Sequence, residues 1–254
     1  MSERPAVSLS MALKCRSFIW LNGHGYAQEE PTQTAGRTFG IGHLAEAAMF
    51  DGIKIDEDHT VGPWWETLEE ITDNSHGVKI KPSEWDVIDR QREVEVDGFK
   101  GHIDGLLKHK IDGTVLLVDM KTTGGFGYDR NLKGDLNESP FSRGYVGQLH
   151  AYRLGLLAQG QRVDGMLLLY FNKEQSKVMF RYIDYDPAID AEIHERLSWA
   201  NATAEPTPDY EWTRGQPVGL ACSYCSQRPN CAIVRGMGLA LEFNKKGSPV
   251  WRAA

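Results

Sequence analysis

The run Thr114-Val115-Leu116-Leu117-Val118-Asp119-Met120-Lys121 narrows the possible folds more than any other stretch of this chain. Its unbroken apolar first part is that of a strand covered on both faces, and such strands lie in the middle of a sheet. A turn, Ile111-Asp112-Gly113, stands immediately before it. Because side chains alternate along a strand, Asp119 and Lys121 share one face where the apolar run ends. Charged groups at the mouth of a buried strand cost free energy to keep there, so they need a use.

The surroundings of this strand set the fold class. Glu93-Val94-Glu95-Val96 alternates, Asp97-Gly98 is a hairpin signal, and residues 99–107 read as one continuous return strand. Upstream, Phe39, Leu44, Ala47, Ala48 and Phe50 have helical spacing over residues 37–50, which puts His43 and Glu46 on one face. Residues 64–74 read as a second helix and 82–91 as a helix or turn. Downstream, the glycine-rich residues 124–139 read as a loop and 143–159 as a helix. Residues 163–171 and 177–185 read as strands, and 187–202 as a helix. Strands flanked by helices imply an α/β fold. At 254 residues, 41% of them hydrophobic, one domain spanning 1–254 is expected. Residues 205–217, with Pro206, Pro208 and Pro217, read as a linker to a cysteine-bearing tail.

No stretch reaches the roughly 18 apolar residues of a spanning helix, and the N-terminus lacks the apolar core of a secretory signal. The expectation is a cytoplasmic protein with no membrane partner. A net charge of -7 argues against coating nucleic acid by bulk attraction, though a local groove escapes that argument.

Two motifs carry chemistry. In the first, Gly101-His102-Ile103-Asp104-Gly105 precedes the turn and Asp119-Met120-Lys121 follows it. If the two strands pair through the turn, Asp104 comes beside Asp119. Two converging carboxylates suit Mg²⁺ or Mn²⁺, and the adjacent lysine could orient or deprotonate a water for attack on a phosphodiester. Taken singly, Asp-Gly pairs are common in turns and an Asp and Lys two apart can be an exposed strand pair. Gln148 and Tyr152, four apart on the 143–159 helix, share a face.

In the second motif, the tail holds Cys222, Cys225 and Cys231 in a C-x2-C-x5-C run, and Cys15 is the remaining cysteine. Four clustered thiols in a cytosolic chain point to a metal centre rather than disulfides. Spacing alone does not choose between zinc and an iron–sulfur cluster.

The order His43, Gly101-x-x-Asp104-Gly105, Asp119-x-Lys121, Gln148-x-x-x-Tyr152 resembles the RecB-type branch of the PD-(D/E)xK nucleases. One cysteine ahead of these motifs and three behind them resembles its iron–sulfur members, among them the CRISPR-associated exonucleases and the AddB nuclease domain. The sequence departs from the superfamily's name in having no proline before Asp104 and Asp119 in place of Glu. The resemblance implies a restriction-endonuclease-like core, a central mixed sheet flanked by helices, with the N- and C-terminal segments (1–35 and 205–240) stapled by the cluster. It implies His43, Asp104 and Asp119 as metal ligands, with the Met120 carbonyl as a fourth, and Lys121 as the residue serving the attacking water. It puts Gln148 and Tyr152 beside the active site, and gives Cys15, Cys222, Cys225 and Cys231 to a structural [4Fe–4S] cluster, with Zn²⁺ as the alternative. The implied activity is a metal-dependent DNA exonuclease on single strands or duplex ends, with recombination or CRISPR-adaptation proteins as partners. The competing readings are a non-catalytic DNA-end-binding scaffold and a zinc-stapled hydrolase of small phosphates. Tyr128, Phe141 and Tyr145, interleaved with Arg130, Lys133 and Arg143, suit base stacking and phosphate contact, and equally suit closing the core.

Overall fold

A computed structural model describes residues 7–54, 56–73, 76–133, 136, 140–206, 225–231, 239–243 and 249–253. Helices α1 (Arg16–Gly23) and α2 (Gln33–Phe50) lead into a hairpin of β1 (Ile53–Lys54) and β2 (Thr60–Val61). A single helical turn, α3 (Trp64–Thr67), and a second hairpin, β3 (Ile71–Asp73) with β4 (Val78–Ile80), follow. Next come β5 (Trp85–Asp89), the hairpin β6 (Glu93–Val96) and β7 (Phe99–His102), then β8 (Gly105–His109) and β9 (Val115–Thr123). Helices α4 (Gly125–Lys133) and α5 (Pro140–Ala158), strands β10 (Gly165–Asn172) and β11 (Lys177–Ile183) and helix α6 (Pro187–Ser198) complete the core. Farther on, β12 (Leu239–Phe243) pairs with β13 (Pro249–Ala253).

The central sheet runs β11-β10-β9-β8-β5, with β9 and β10 parallel and the other pairs antiparallel. Parallel neighbours need a crossover, which α4 and α5 supply. The expected α/β architecture with a mixed central sheet between helices is therefore what forms. Alternation along β9 sorts its side chains into two layers. Val115 and Leu117 join Val146, Leu149 and Tyr152 of α5 and Ile193 and Leu197 of α6. Leu116, Val118 and Met120 join Ala45, Met49 and Phe50 of α2 and Trp65 of α3. All of β10 is buried, because both its faces are covered.

Four local expectations are corrected. Residues 64–74 make one helical turn and then the strand β3, because the β-branched Ile71 and Thr72 find a partner in β4 across a turn with Gly77 at φ 65°. Residues 82–91 give a short 3-10 turn, Pro82–Glu84, followed by the edge strand β5, whose ladder on β8 outweighs the helical signal. The glycine-rich stretch after β9 is helical over α4, where Tyr128 and Asn131 supply buried contacts that glycine content conceals. Residues 99–107 are two strands: β7 pairs with β6 outside the central sheet, β8 pairs inside it, and Ile103 and Asp104 fill the break.

The N-terminal segment closes onto chain far from it in sequence. Trp20 Nε1 donates to Ala202 O (3.0 Å) and Ser17 Oγ to Pro206 O (3.2 Å). Glu29 N donates to Ser226 O (2.7 Å), and Gln227 Nε2, fully buried, donates to Asn22 Oδ1 (3.2 Å) and Tyr26 O (2.9 Å).

Candidate active site

β8 and β9 pair through the turn at 110–114 with Gly105 opposite Val118, so one further step of the register sets Asp104 opposite Asp119. β8 begins only at Gly105, which leaves the Met120 N–H without a ladder partner on that side. The Asp104 carboxylate takes its place, Oδ2 accepting from Met120 N at 2.7 Å. The interruption between β7 and β8 is thus what turns an acid onto the central strand. The Met120 side chain packs in the layer of α2, on the opposite face from Asp119.

Asp119 is wholly buried on the α5 side. Its Oδ2 is ion-paired with Lys121 Nζ at 2.5 Å, and its Oδ1 accepts no hydrogen bond. Lys121 Nζ also lies 5.2 Å from the centroid of the Tyr145 ring. A third acid, absent from the residues singled out in the sequence, completes the cluster. Glu46 Oε1 accepts from Gln91 Nε2 (2.5 Å) and from Arg90 Nη2 (3.4 Å), while Arg90 Nε donates to the Asp104 carbonyl (3.4 Å). Arg90 therefore ties α2 to the strand break. The signal for Glu46 was its shared helix face with His43; close by on α2, Gly42 faces the end of β9, an added Cβ lying 3.6 Å from Thr122 Oγ1.

The electrostatics record burial first and the acids' mutual charge second. Burial pushes the Asp119 carboxyl up; the Lys121 ammonium opposes this, and Asp104 and Glu46 add to it. Burial, then the charge of Asp104, likewise raises Glu46 against the pull of Arg90. For Lys121, burial favours the neutral amine, but Asp119 and Asp104 overcome it and hold the proton more tightly than an ordinary lysine does. Tyr152 is raised by burial and by Asp119, so it is a neutral hydroxyl at physiological pH.

Gln148 and Tyr152 come together as expected, Nε2 donating to Oη at 2.9 Å, both buried. Gly101 makes room for this: a Cβ there would lie 2.7 Å from Tyr152 Cε1 and 3.0 Å from Leu9 Cβ. His43 is exposed on α2, close enough to act electrostatically on Glu46. Among the described residues no three His, Cys, Asp or Glu side chains stand close enough to hold an ion as they are placed. The donor set still fits a hard divalent cation: three carboxylates, two of them raised first by burial and further by the charge of Asp104, and a buried oxygen of Asp119 lacking any donor.

Of the cysteines, Cys15 is the N-cap of α1 and half-buried, and Cys225 and Cys231 are half-buried at the segment that docks on residues 22–29. The neighbouring Lys14 ammonium, depressed by burial, is partly restored by Cys225. The first and last parts of the chain thus meet where three of the four thiols lie. Cys222 lies outside the described residues.

No family model matches the sequence, and no curated protein matches it either. Among solved structures, the chain is similar to an alkaline exonuclease (LHK-Exo) from Laribacter hongkongensis, at TM-score 0.46 and 14% identity over 78% of this chain and 87% of that one. The same exonuclease in complex with dAMP gives TM-score 0.44 and 16% identity over 78% and 87%. A phage-related exonuclease from Haemophilus somnus 129PT gives 0.35 and 12% over 78% and 92%. Overlaps this loose fix neither a family nor an activity, so the chemistry is read from the site's own residues.

The other residues noted for strand contact divide. Tyr128 is buried in the core and Tyr145 is half-buried beside Lys121. Arg143 is ion-paired with Glu192 at 2.5 Å. The side chains of Arg130, Lys133 and Phe141 lie outside the described set. No helix among the described residues is long and apolar enough to cross a membrane.

Proposed function

We propose that this chain is a metal-dependent nuclease that hydrolyses phosphodiester bonds of DNA, acting on single strands or duplex ends. The observation that supports it best is the placing of Asp104 and Asp119 side by side with Lys121 at the end of the central strand, one buried carboxylate oxygen unsatisfied and Glu46 within electrostatic reach of both acids. Asp104, Asp119 and Glu46 would hold Mg²⁺ or Mn²⁺, with His43 and the Met120 carbonyl as the further ligands suggested by the resemblance. The bound cation would neutralise charge on the scissile phosphate and acidify a coordinated water.

Lys121 keeps its proton, so its part is to donate, not to act as the base. It orients the attacking water and lends positive charge where the phosphate becomes more negative. Asp119 must be ionised to bind a cation, and burial raises its carboxyl. In the metal-free protein, therefore, Mn²⁺ affinity is expected to weaken as pH drops through that raised value, while still above the ordinary carboxylate range. Affinity that holds constant until about pH 4 would contradict this assignment.

The proposed role of the four cysteines is a structural [4Fe–4S] cluster, with zinc as the alternative. The test of the main reading is incubation of anaerobically purified protein with end-labelled single-stranded, double-stranded and closed circular DNA, with Mg²⁺ or Mn²⁺. Metal-dependent degradation is expected, lowered at least about 10²-fold in Lys121→Ala. Cleavage that persists in Asp119→Ala, or no cleavage by cluster-loaded protein, would overturn it.

A further inference from the structure

The first half of α2 carries apolar side chains that the protein leaves in solvent. Phe39 is 60% exposed, Ile41 46% and Leu44 69%, whereas Ala45, Ala48, Met49 and Phe50 in the second half are buried. A single exposed apolar residue is ordinary. Three within six positions, on the helix that bears Glu46, call for a partner.

Helix geometry separates them. At about 100° per residue, Phe39 stands within roughly 20° of Glu46 and 40° of His43, so these three form one stripe, while Ile41 and Leu44 turn to other faces. The heading of the stripe is marked at Gly42, which lies beside Thr122 at the end of β9, and at Glu46, which is within electrostatic reach of Asp104 and Asp119. Seven residues separate Phe39 from Glu46, about 10 Å along the axis. Gly36 and Gly40, about 60° and 100° round the helix from Phe39, have nothing within 4 Å of where a Cβ would stand, so that flank of the ring is open.

Any strand with a phosphate at the acids and its next nucleotides running along this stripe would bring a base to the Phe39 ring. A protein partner covering the ring would also cover the mouth of the acid cluster. Bases in an intact duplex are stacked on one another and do not offer a free face, whereas an unpaired base does. We propose that Phe39 is a stacking platform for an unpaired nucleobase beside the scissile phosphate, so that the site takes single-stranded DNA or a frayed end in preference to intact duplex. This rests on the nuclease reading above.

The test measures binding without cleavage, on the full chain with Ca²⁺ in place of Mg²⁺. Short single-stranded oligonucleotides, intact or with one abasic position moved along the strand, are titrated against the wild type, Phe39→Ala and Phe39→Tyr. One abasic position is expected to weaken wild-type binding roughly tenfold or more. Phe39→Ala should bind the intact strand equally weakly and become insensitive to that position, and Phe39→Tyr should restore both the affinity and the sensitivity. Wild-type affinity in Phe39→Ala, or losses from the variant and the abasic site that simply multiply, overturns the proposal. A wild-type dimer that Phe39→Ala dissolves overturns it too, by giving the ring to a second copy. Cleavage in Mg²⁺ is scored separately: the binding pattern without cleavage sinks the nuclease reading alone, cleavage without the pattern sinks the platform alone, and no binding at all sinks both.

Discussion

Glu46 shows at the level of one side chain how the proposed chemistry competes with stability. Its folded carboxyl is raised above the unfolded value by burial and by Asp104, so the folded state binds its proton more readily than the unfolded chain does. The sign follows: this group's contribution favours folding below the unfolded value and is lost as pH rises through the raised folded value. At neutral pH, therefore, Glu46→Gln is expected to raise the melting temperature of metal-free protein slightly, on the order of 1 °C, while weakening Mn²⁺ affinity in the same preparation. A fall in both would contradict the assignment. Gly101 supplies a second case. Gly101→Ala drives a methyl against the Tyr152 ring and Leu9, and overpacking of this kind costs about 1–3 kcal/mol. Chemical denaturation would read the loss, and trimming the ring in Tyr152→Leu should recover part of it. Asp104, Asp119 and Lys121 were legible in the sequence because strand alternation and one turn suffice to relate them. Glu46 was not, since its place depends on how α2 is rotated, and that follows from the packing of Ala45, Met49 and Phe50 on the sheet and from the Arg90 bridge, which local pattern does not encode.

Among the elements, those with strong periodicity were readable: the β6–β7 hairpin with Asp97 at φ 52° and Gly98 at φ 82°, the apolar strand β9, and helix α5. The misread ones share a cause. Residues 64–74, 82–91 and 124–139 are short or glycine-rich, and their form is decided by partners elsewhere in the chain, β4, β8 and the core under Tyr128. The break between β7 and β8 was hidden for the same reason, since nothing local distinguishes a strand that changes sheets from one that continues. Docking of residues 225–231 onto the region after α1 leans on Gln227, whose amide is buried between Asn22 and Tyr26. Gln227→Ala removes both bonds; Asn22 Oδ1 keeps Gln28 Nε2 as a donor, but Tyr26 O loses its side-chain donor, a loss of about 1–3 kcal/mol. Limited proteolysis should then cut near residue 225 faster than in the wild type; unchanged cutting would mean that the docking rests on other contacts.

For the molecule as a whole, the proposed activity on DNA would require a chain of net charge -7 to concentrate its positive charge locally, and the proposed divalent cation would supply part of it. The proposed cluster belongs to this scale as well, because ligands from Cys15 to Cys231 would close a loop over most of the chain and restrain the unfolded state. Anaerobically purified protein is expected to be brown, with absorbance near roughly 400 nm, and Cys225→Ser should lower the melting temperature before it lowers the cleavage rate of protein that remains folded. Colourless protein with stoichiometric zinc would exclude the cluster. The pairing of Gln227 with Asn22, 205 positions apart, has a further consequence during synthesis. A ribosome adding roughly 5–20 residues per second makes the early segment wait on the order of 10–40 s for its late partner. Over that interval the buried face of Asn22 and the thiol of Cys15 have only nascent chain and solvent around them, so any chaperone or cluster donor that acts on the growing polypeptide has its opening before residue 225 emerges.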